Sequence, residues 1–133
     1  MTEDEAAIRR LLADYCYYTD ASDVDRLCTL FTEDFAFTGV FGECRGHEAM
    51  REMHRTRGPE RIRAGRHLTL NSVVDLAGDE ATGRSYIVVL AGGEQGLSIM
   101  FAGAYADRYV KGADGQWRFK SRHIHAHPME TLG

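Results

Sequence analysis

Apolar residues recur every three or four positions near the start of the chain and every second position through its latter half. Helices followed by strands are the expected order. Ile8, Leu11, Leu12, Tyr15 and Tyr18 fall on one face, which predicts a helix from Thr2 to about Asp20. Thr2 and Glu5 have the spacing of a capping box, in which the hydroxyl takes an orphan N–H and the carboxylate reaches back. A short second helix follows, with Ser22 or Asp23 as its cap and Val24, Leu27, Leu30 and Phe31 as its buried face. Phe35, Phe37 and Phe41 lie in a short β-like stretch broken by Gly39 and Gly42. After Gly46 a third helix is predicted from about His47 to Arg57, with Ala49, Met50 and Met53 turned inward.

From Arg66 to Leu76 the pattern alternates, Leu68, Leu70, Val74 and Leu76 against His67, Thr69 and Asn71, as in a strand. Gly78-Asp79 marks a turn, and Thr82 to Leu90 is a β-branched and aromatic strand. A glycine-rich loop at 92–96 joins it to a long strand from Leu97 to Val110, where Gly103 suggests a bulge or bend. A turn at 111–115 leads to a last strand, Gln116 to His127. Helices first and a strand meander afterwards predict an α+β fold, with the helices on one face of a strongly bent sheet.

Length and charge narrow the function. The 133 residues fit one domain spanning 1–133, and a hydrophobic fraction of 44% supports a real core. The net charge of -4 disfavours phosphate backbones, so no nucleic-acid partner is expected. Cys16, Cys28 and Cys44 form no CxxC pair and are odd in number, which points to free thiols in a reducing compartment. The acidic N-terminus does not resemble a signal peptide, and no apolar run approaches the roughly 20 residues of a membrane span. A cytoplasmic protein with no membrane partner is expected. The chain has no Walker loop, GxGxxG fingerprint, Gly-x-Ser-x-Gly elbow or His-Glu-x-x-His helix, so neither a nucleotide cofactor, serine hydrolysis nor zinc proteolysis is expected.

Three residues suit proton chemistry. Asp20 puts a carboxylate at a helix C-terminus, where the dipole opposes it, so it needs a compensating partner or serves only as a loop residue or cap. His67 lies on the strand face opposite Leu68 and Leu70, and its unperturbed pKa suits proton transfer near neutrality. Tyr15, five residues before Asp20, is either a hydroxyl donor or a core aromatic. His123, His125 and His127 share one strand face but span about 13 Å along it, so no metal site is expected. Arg51, Arg55, Arg57, Arg61, Arg63 and Arg66, interspersed with Glu48, Glu52 and Glu60, read as a solvated helix and loop.

The run Ile8-x-x-Leu11-x-x-x-Tyr15-x-x-x-x-Asp20-x-x-Asp23-x-Asp25-x-Leu27-x-x-x-Phe31-x-x-Asp34 resembles the opening of SnoaL-like proteins of the NTF2-like superfamily. The stretches Gly103-Ala104-Tyr105-x-Asp107-x-Tyr109 and Gly115-x-Trp117-Arg118-Phe119-x-x-Arg122 resemble their closing hairpin. The resemblance implies a cone-shaped α+β barrel, a homodimer, and a pocket between the helices and the concave sheet. It includes cofactor-free enzymes such as scytalone dehydratase, bile acid 7α-dehydratase and hexachlorocyclohexane dehydrochlorinase. It implies roles for Asp20 and His67 as an acid–base pair, for Tyr15 as the dehydratase tyrosine, and for Arg122 as the last-strand arginine of the dehydrochlorinase type. No second histidine or aspartate stands on Thr82 to Leu90, where dehydratases carry one. Trp117 and Phe119 share one strand face; Arg122 joins them only across a bulge, and otherwise His123 and His125 take its place in the pocket.

The function expected is a cofactor-independent lyase or isomerase acting on a small hydrophobic, cyclic or aromatic molecule. Asp20 would orient His67 as base, with Tyr15 and Arg122 stabilising the developing charge. Phe37, Met53, Met100 and His123 are further candidates for substrate contact, and a retro-aldol cleavage would use the same base. The alternatives are a module that binds a ligand or partner without catalysis, and an Asp–Arg–Asp epoxide hydrolase, for which Asp107-Arg108 is thin support.

Overall fold

Thr2 begins the first helix as its side chain predicts. In the computed structural model, which describes residues 1–58 and 65–127, its Oγ1 accepts the Glu5 N–H at 3.1 Å, and α1 spans Glu3–Asp20. Pro59, Glu60, Arg61, Arg63 and Pro128 lie outside the described residues. Glu5 leaves the capping box open, because its carboxylate accepts from Arg9 one turn later at 3.0 Å. Asp23, not Ser22, caps α2 (Val24–Cys28), accepting the Arg26 N–H at 3.2 Å. Ser22 instead takes a φ of 55° in the turn that ends α1, its N–H donating to the Thr19 carbonyl. The chain continues through β1 (Phe31–Gly39), β2 (Cys44–Arg45), α3 (Gly46–Arg57), β3 (Gly65–Ala77), β4 (Glu80–Gly93), β5 (Gly96–Lys111) and β6 (Trp117–Ala126). Phe31 opens β1 rather than closing the second helix, and Phe41 lies beyond β1, 53% exposed.

The strands form one six-stranded sheet in the order β2-β1-β6-β5-β4-β3. The meander from β3 to β6 is antiparallel, and β1 extends it by pairing parallel with β6. Helices packed on one face of this mixed sheet make the fold α+β, as the sequence predicts. α1 packs against β3 and β6, and α3 against β1. Between them Phe31 and Phe35 stack at 4.0 Å, with Tyr15, Tyr105, Tyr109 and Phe119 around them.

The sheet has four register shifts, one of them between β1 and β6 from Phe31 to Ala36, and the three in the meander decide which side chains enter this interior. In β3 the shift falls between Leu70 and Val73, where Asn71 has a φ of 56°. Leu68 and Leu70 therefore face outward, 40% and 43% exposed, while Val74 returns to the core beyond the bulge. This corrects the simple alternation, in which Leu68, Leu70 and Val74 would share one face. In β5 the extra residue is Met100, between the Val89–Phe101 and Leu90–Ile99 pairs. Gly103 lies in regular register instead and admits the β6 backbone, since a Cβ there would sit 2.1 Å from the His125 carbonyl oxygen. In β6 the extra residue is Lys120, between the Tyr109–Phe119 and Arg108–Ser121 pairs. It turns Arg122 and Ile124 inward alongside Trp117 and Phe119. Among the described residues, no helix is long and apolar enough to cross a membrane.

Candidate functional site

The last residue of α1 and the third residue of β3 meet. His67 Nδ1 lies 2.6 Å from Asp20 Oδ1, and the His67 backbone N–H donates to the same carboxylate at 3.2 and 3.1 Å. These contacts supply the compensation that a carboxylate at a helix C-terminus requires. A carboxylate only accepts hydrogen bonds, so Nδ1 carries a proton, and in the neutral ring Nε2 keeps its lone pair. Cys16 Sγ lies 3.2 Å from Thr69 Oγ1, and an Arg9 N–H donates to the Ser72 carbonyl at 3.2 Å, so further along from the pair helix and strand are tied twice more.

His67 borders a cavity of about 330 Å³ between α1, α3 and the concave sheet. That volume lies at the small end of the range typical of ligand pockets. Tyr15 and Thr19 reach it from consecutive turns of α1, and Phe37, Ile87, Met100 and Tyr105 from the strands. Of the residues expected to touch a ligand, Tyr15, His67, Phe37 and Met100 line this cavity. Met53 does not; it packs on the core from α3. A second, more open hollow of about 480 Å³ lies between α1 and β3 and is bordered by Asp20, His67 and Arg66.

Behind the cavity wall Arg122 is fully buried, 0% exposed. Its Nε–H and an Nη2–H donate to Asp107 at 2.8 and 3.0 Å, and Tyr109 donates to the same carboxylate at 2.9 Å. The guanidinium stacks between rings, 3.5 Å from the Tyr105 centroid and 4.4 Å from that of Tyr15. Burial works against its charge, but the Asp107 carboxylate outweighs it and holds the group charged. Arg122 thus underlies the tyrosines rather than lining the cavity. Burial raises the pKa of both Tyr15 and Tyr105, with Arg122 pulling the other way, so both phenols are donors at neutral pH. Ser85, registered with Tyr105 across β4 and β5, is buried with its hydroxyl unpartnered among the described residues.

His123 lies on the outer face, its Nδ1 2.7 Å from Thr38 Oγ1 and its ring 4.4 Å from that of His125. The Lys120 bulge thus gives the interior to Arg122 and removes His123 from the candidates for substrate contact. The basic cluster divides up: Arg51 pairs with Asp25, Arg55 with Glu52, and Arg57 sits 5.0 Å over the Phe41 ring at the cavity edge.

His54 was not anticipated from the sequence. It lines the cavity from α3 at 7% exposure, with Nδ1 buried and unpartnered among the described residues. Burial, then the neighbouring charge of Arg57, pushes its pKa down to about 4. It follows Met50 by one helical turn, and that spacing extends the apolar face of α3 to His54.

A SnoaL-like domain model matches residues 1–123. No curated protein matches the chain. Among solved structures, a variant of Rv3472 from Mycobacterium tuberculosis, a protein of unknown function, is 36% identical; the match covers 93% of this chain and 72% of that one at a TM-score of 0.83. An NTF2-like protein with a cystatin-like fold from Novosphingobium aromaticivorans is 25% identical over 93% of this chain and 82% of its own, with a TM-score of 0.82. A Catenulispora acidiphila protein in complex with S-DNPA is 22% identical over 97% of both chains, with a TM-score of 0.81. With its helices on a curved mixed sheet and a family match over most of its length, the chain belongs to the SnoaL-like domain family and has the NTF2-like fold.

Proposed function

We propose that this protein is a cofactor-independent lyase or isomerase acting on a small cyclic or aromatic molecule, with His67 as its general base. The observation that carries this reading is the 2.6 Å contact between Asp20 and His67 at the edge of an apolar cavity. Asp20 fixes the ring so that Nε2 presents a lone pair, and it stabilises the imidazolium once a proton is taken. Base catalysis of this kind contributes about 10²–10⁴ in rate. Tyr15, kept protonated by burial, donates to an oxygen that gains charge or leaves. Arg122 acts through the Tyr15 and Tyr105 rings that it underlies and positions them. The Catenulispora acidiphila protein, which has this fold, is in complex with S-DNPA. We also propose that a second copy of the chain covers the outward apolar face carrying Leu68, Leu70 and Tyr86, forming a homodimer.

The test is turnover of a panel of small cyclic ketones and hydroxyketones by the wild type, His67→Ala and Asp20→Asn. The expected result is a loss of about 10²–10⁴ in kcat for His67→Ala, with Asp20→Asn also impaired. Equal turnover in all three would remove the base, and binding without turnover of any compound would favour a ligand-binding module.

A further inference from the structure

His54 and His67 border the same cavity from different elements, α3 and β3. Their ring nitrogens are in contrasting states. At His67 the carboxylate of Asp20 fixes the proton on Nδ1 and leaves Nε2 bare. At His54 it is Nδ1 that is sealed, buried and without a hydrogen-bond partner among the described residues. Nε2 of His54 has no partner among them either, but it is not among the sealed atoms, and His54 lines the cavity. A neutral imidazole has one N–H and one lone pair to distribute. Placing the N–H at the sealed position would orphan a donor, which folded proteins tolerate less well than an orphaned acceptor. The proton therefore belongs on Nε2. Burial and Arg57 on its own helix disfavour a second proton on the ring.

We propose that His54 is a substrate-binding residue whose Nε2–H holds the oxygen of a cyclic ketone or conjugated enone, the substrate class of this site. The inference rests on His67 being the base and adds what that base acts upon. Removal of an α-proton needs a lone pair beside the carbon and a donor beside the oxygen. His67 Nε2 takes the proton; the C–H electron pair becomes the new C=C bond, and the carbonyl π pair moves to oxygen. The oxygen charge is held by the His54 N–H, which keeps its proton, and by the Tyr15 hydroxyl. The enolate then collapses, either by taking a proton at another carbon or by expelling a leaving group. A substrate without an oxygen conjugated to the acidic carbon, such as a halogenated cycloalkane, would bury the His54 N–H unpaired.

The probe is 4-nitrophenol, whose ionised form is an oxyanion conjugated to a ring and whose absorbance reports ionisation. Its affinity is measured for the wild type, His54→Leu and His54→Gln, alongside long-range ¹H–¹⁵N spectra of the histidine rings in the ligand-free wild type. The expected spectrum has His54 protonated on Nε2. Nitrophenolate binding should weaken about ten- to a hundredfold in His54→Leu, the range for one hydrogen bond to a charged group. It should stay close to wild type in His54→Gln, whose side-chain amide supplies a donor. A His54 ring protonated on Nδ1, or nitrophenolate bound equally well by His54→Leu, would overturn the assignment. If His54→Leu does not fold, the Gln variant and the wild-type spectrum still decide. The His54 tautomer is read without turnover, so a failure of His67 as base is seen separately.

Discussion

Arg122 brings a full charge into an aromatic core, where Asp107 is its ionic partner among the described residues. Asp107 accepts two of its N–H groups and a third hydrogen bond from Tyr109, and both members of the ion pair are buried. Nη1 is left unpartnered among the described residues, so the pair is not fully compensated. Removing one partner of such a pair strands the other, which typically costs about 3–5 kcal/mol, whereas replacing both by apolar groups is often close to neutral. Asp107→Ala is therefore expected to lower stability by about that much, read as urea unfolding followed by Trp117 fluorescence. The double variant Asp107→Leu with Arg122→Met is expected to lose less than Asp107→Ala alone. A double variant at least as unstable as the single would show that the charges contribute more than their desolvation costs. At this scale the sequence is informative where a residue is placed against a physical preference. Asp20 stands at the unfavourable end of a helix, and that mismatch calls for a partner such as His67. His54 carries no comparable sign, because a histidine on the buried stripe of a helix looks like any core residue until the rest of the cavity wall is known.

The elements themselves follow closely from patterning. The Thr2 cap, the end of α1 at Asp20 and the meander of β3 to β6 are all legible, because each depends on neighbours close in sequence. Two things are not. β1 joins the sheet by parallel pairing with the final strand, a contact between residues as far apart as Phe31 and Phe119. The bulges shift side-chain parity by one and are set by the whole sheet. Alternation alone places Arg122 opposite Trp117, whereas Lys120 restores it to the same face; the same logic moves Val74 away from Leu70. The candidate pair survives because His67 precedes the β3 bulge and so keeps the face that alternation gives it. His123 does not, because it follows the bulge in β6.

Over the whole molecule, helices cover only one face of the sheet, and the other face presents apolar side chains to solvent. Leu68 pairs with Val88 and Leu70 with Tyr86 across β3 and β4, and Tyr86 is 51% exposed. The proposed homodimer would cover these side chains. The face is built of paired strands, so a second copy meeting it presents the same side chains in return, the self-complementary contact that two-fold symmetry requires. Sedimentation equilibrium is expected to give a dimer for the wild type and a monomer for Leu70→Lys with Tyr86→Lys. A monomeric wild type, or an undisturbed dimer in the variant, would place the interface elsewhere or remove it.

The most direct measurement of the base itself needs no substrate: long-range ¹H–¹⁵N correlation of the His67 ring, in the wild type and in Asp20→Asn. An Nδ1-protonated ring with a strongly downfield proton is expected, with that preference lost in the variant. An Nε2-protonated His67, unchanged when Asp20 is replaced, would mean that the carboxylate does not prepare the imidazole to accept a proton.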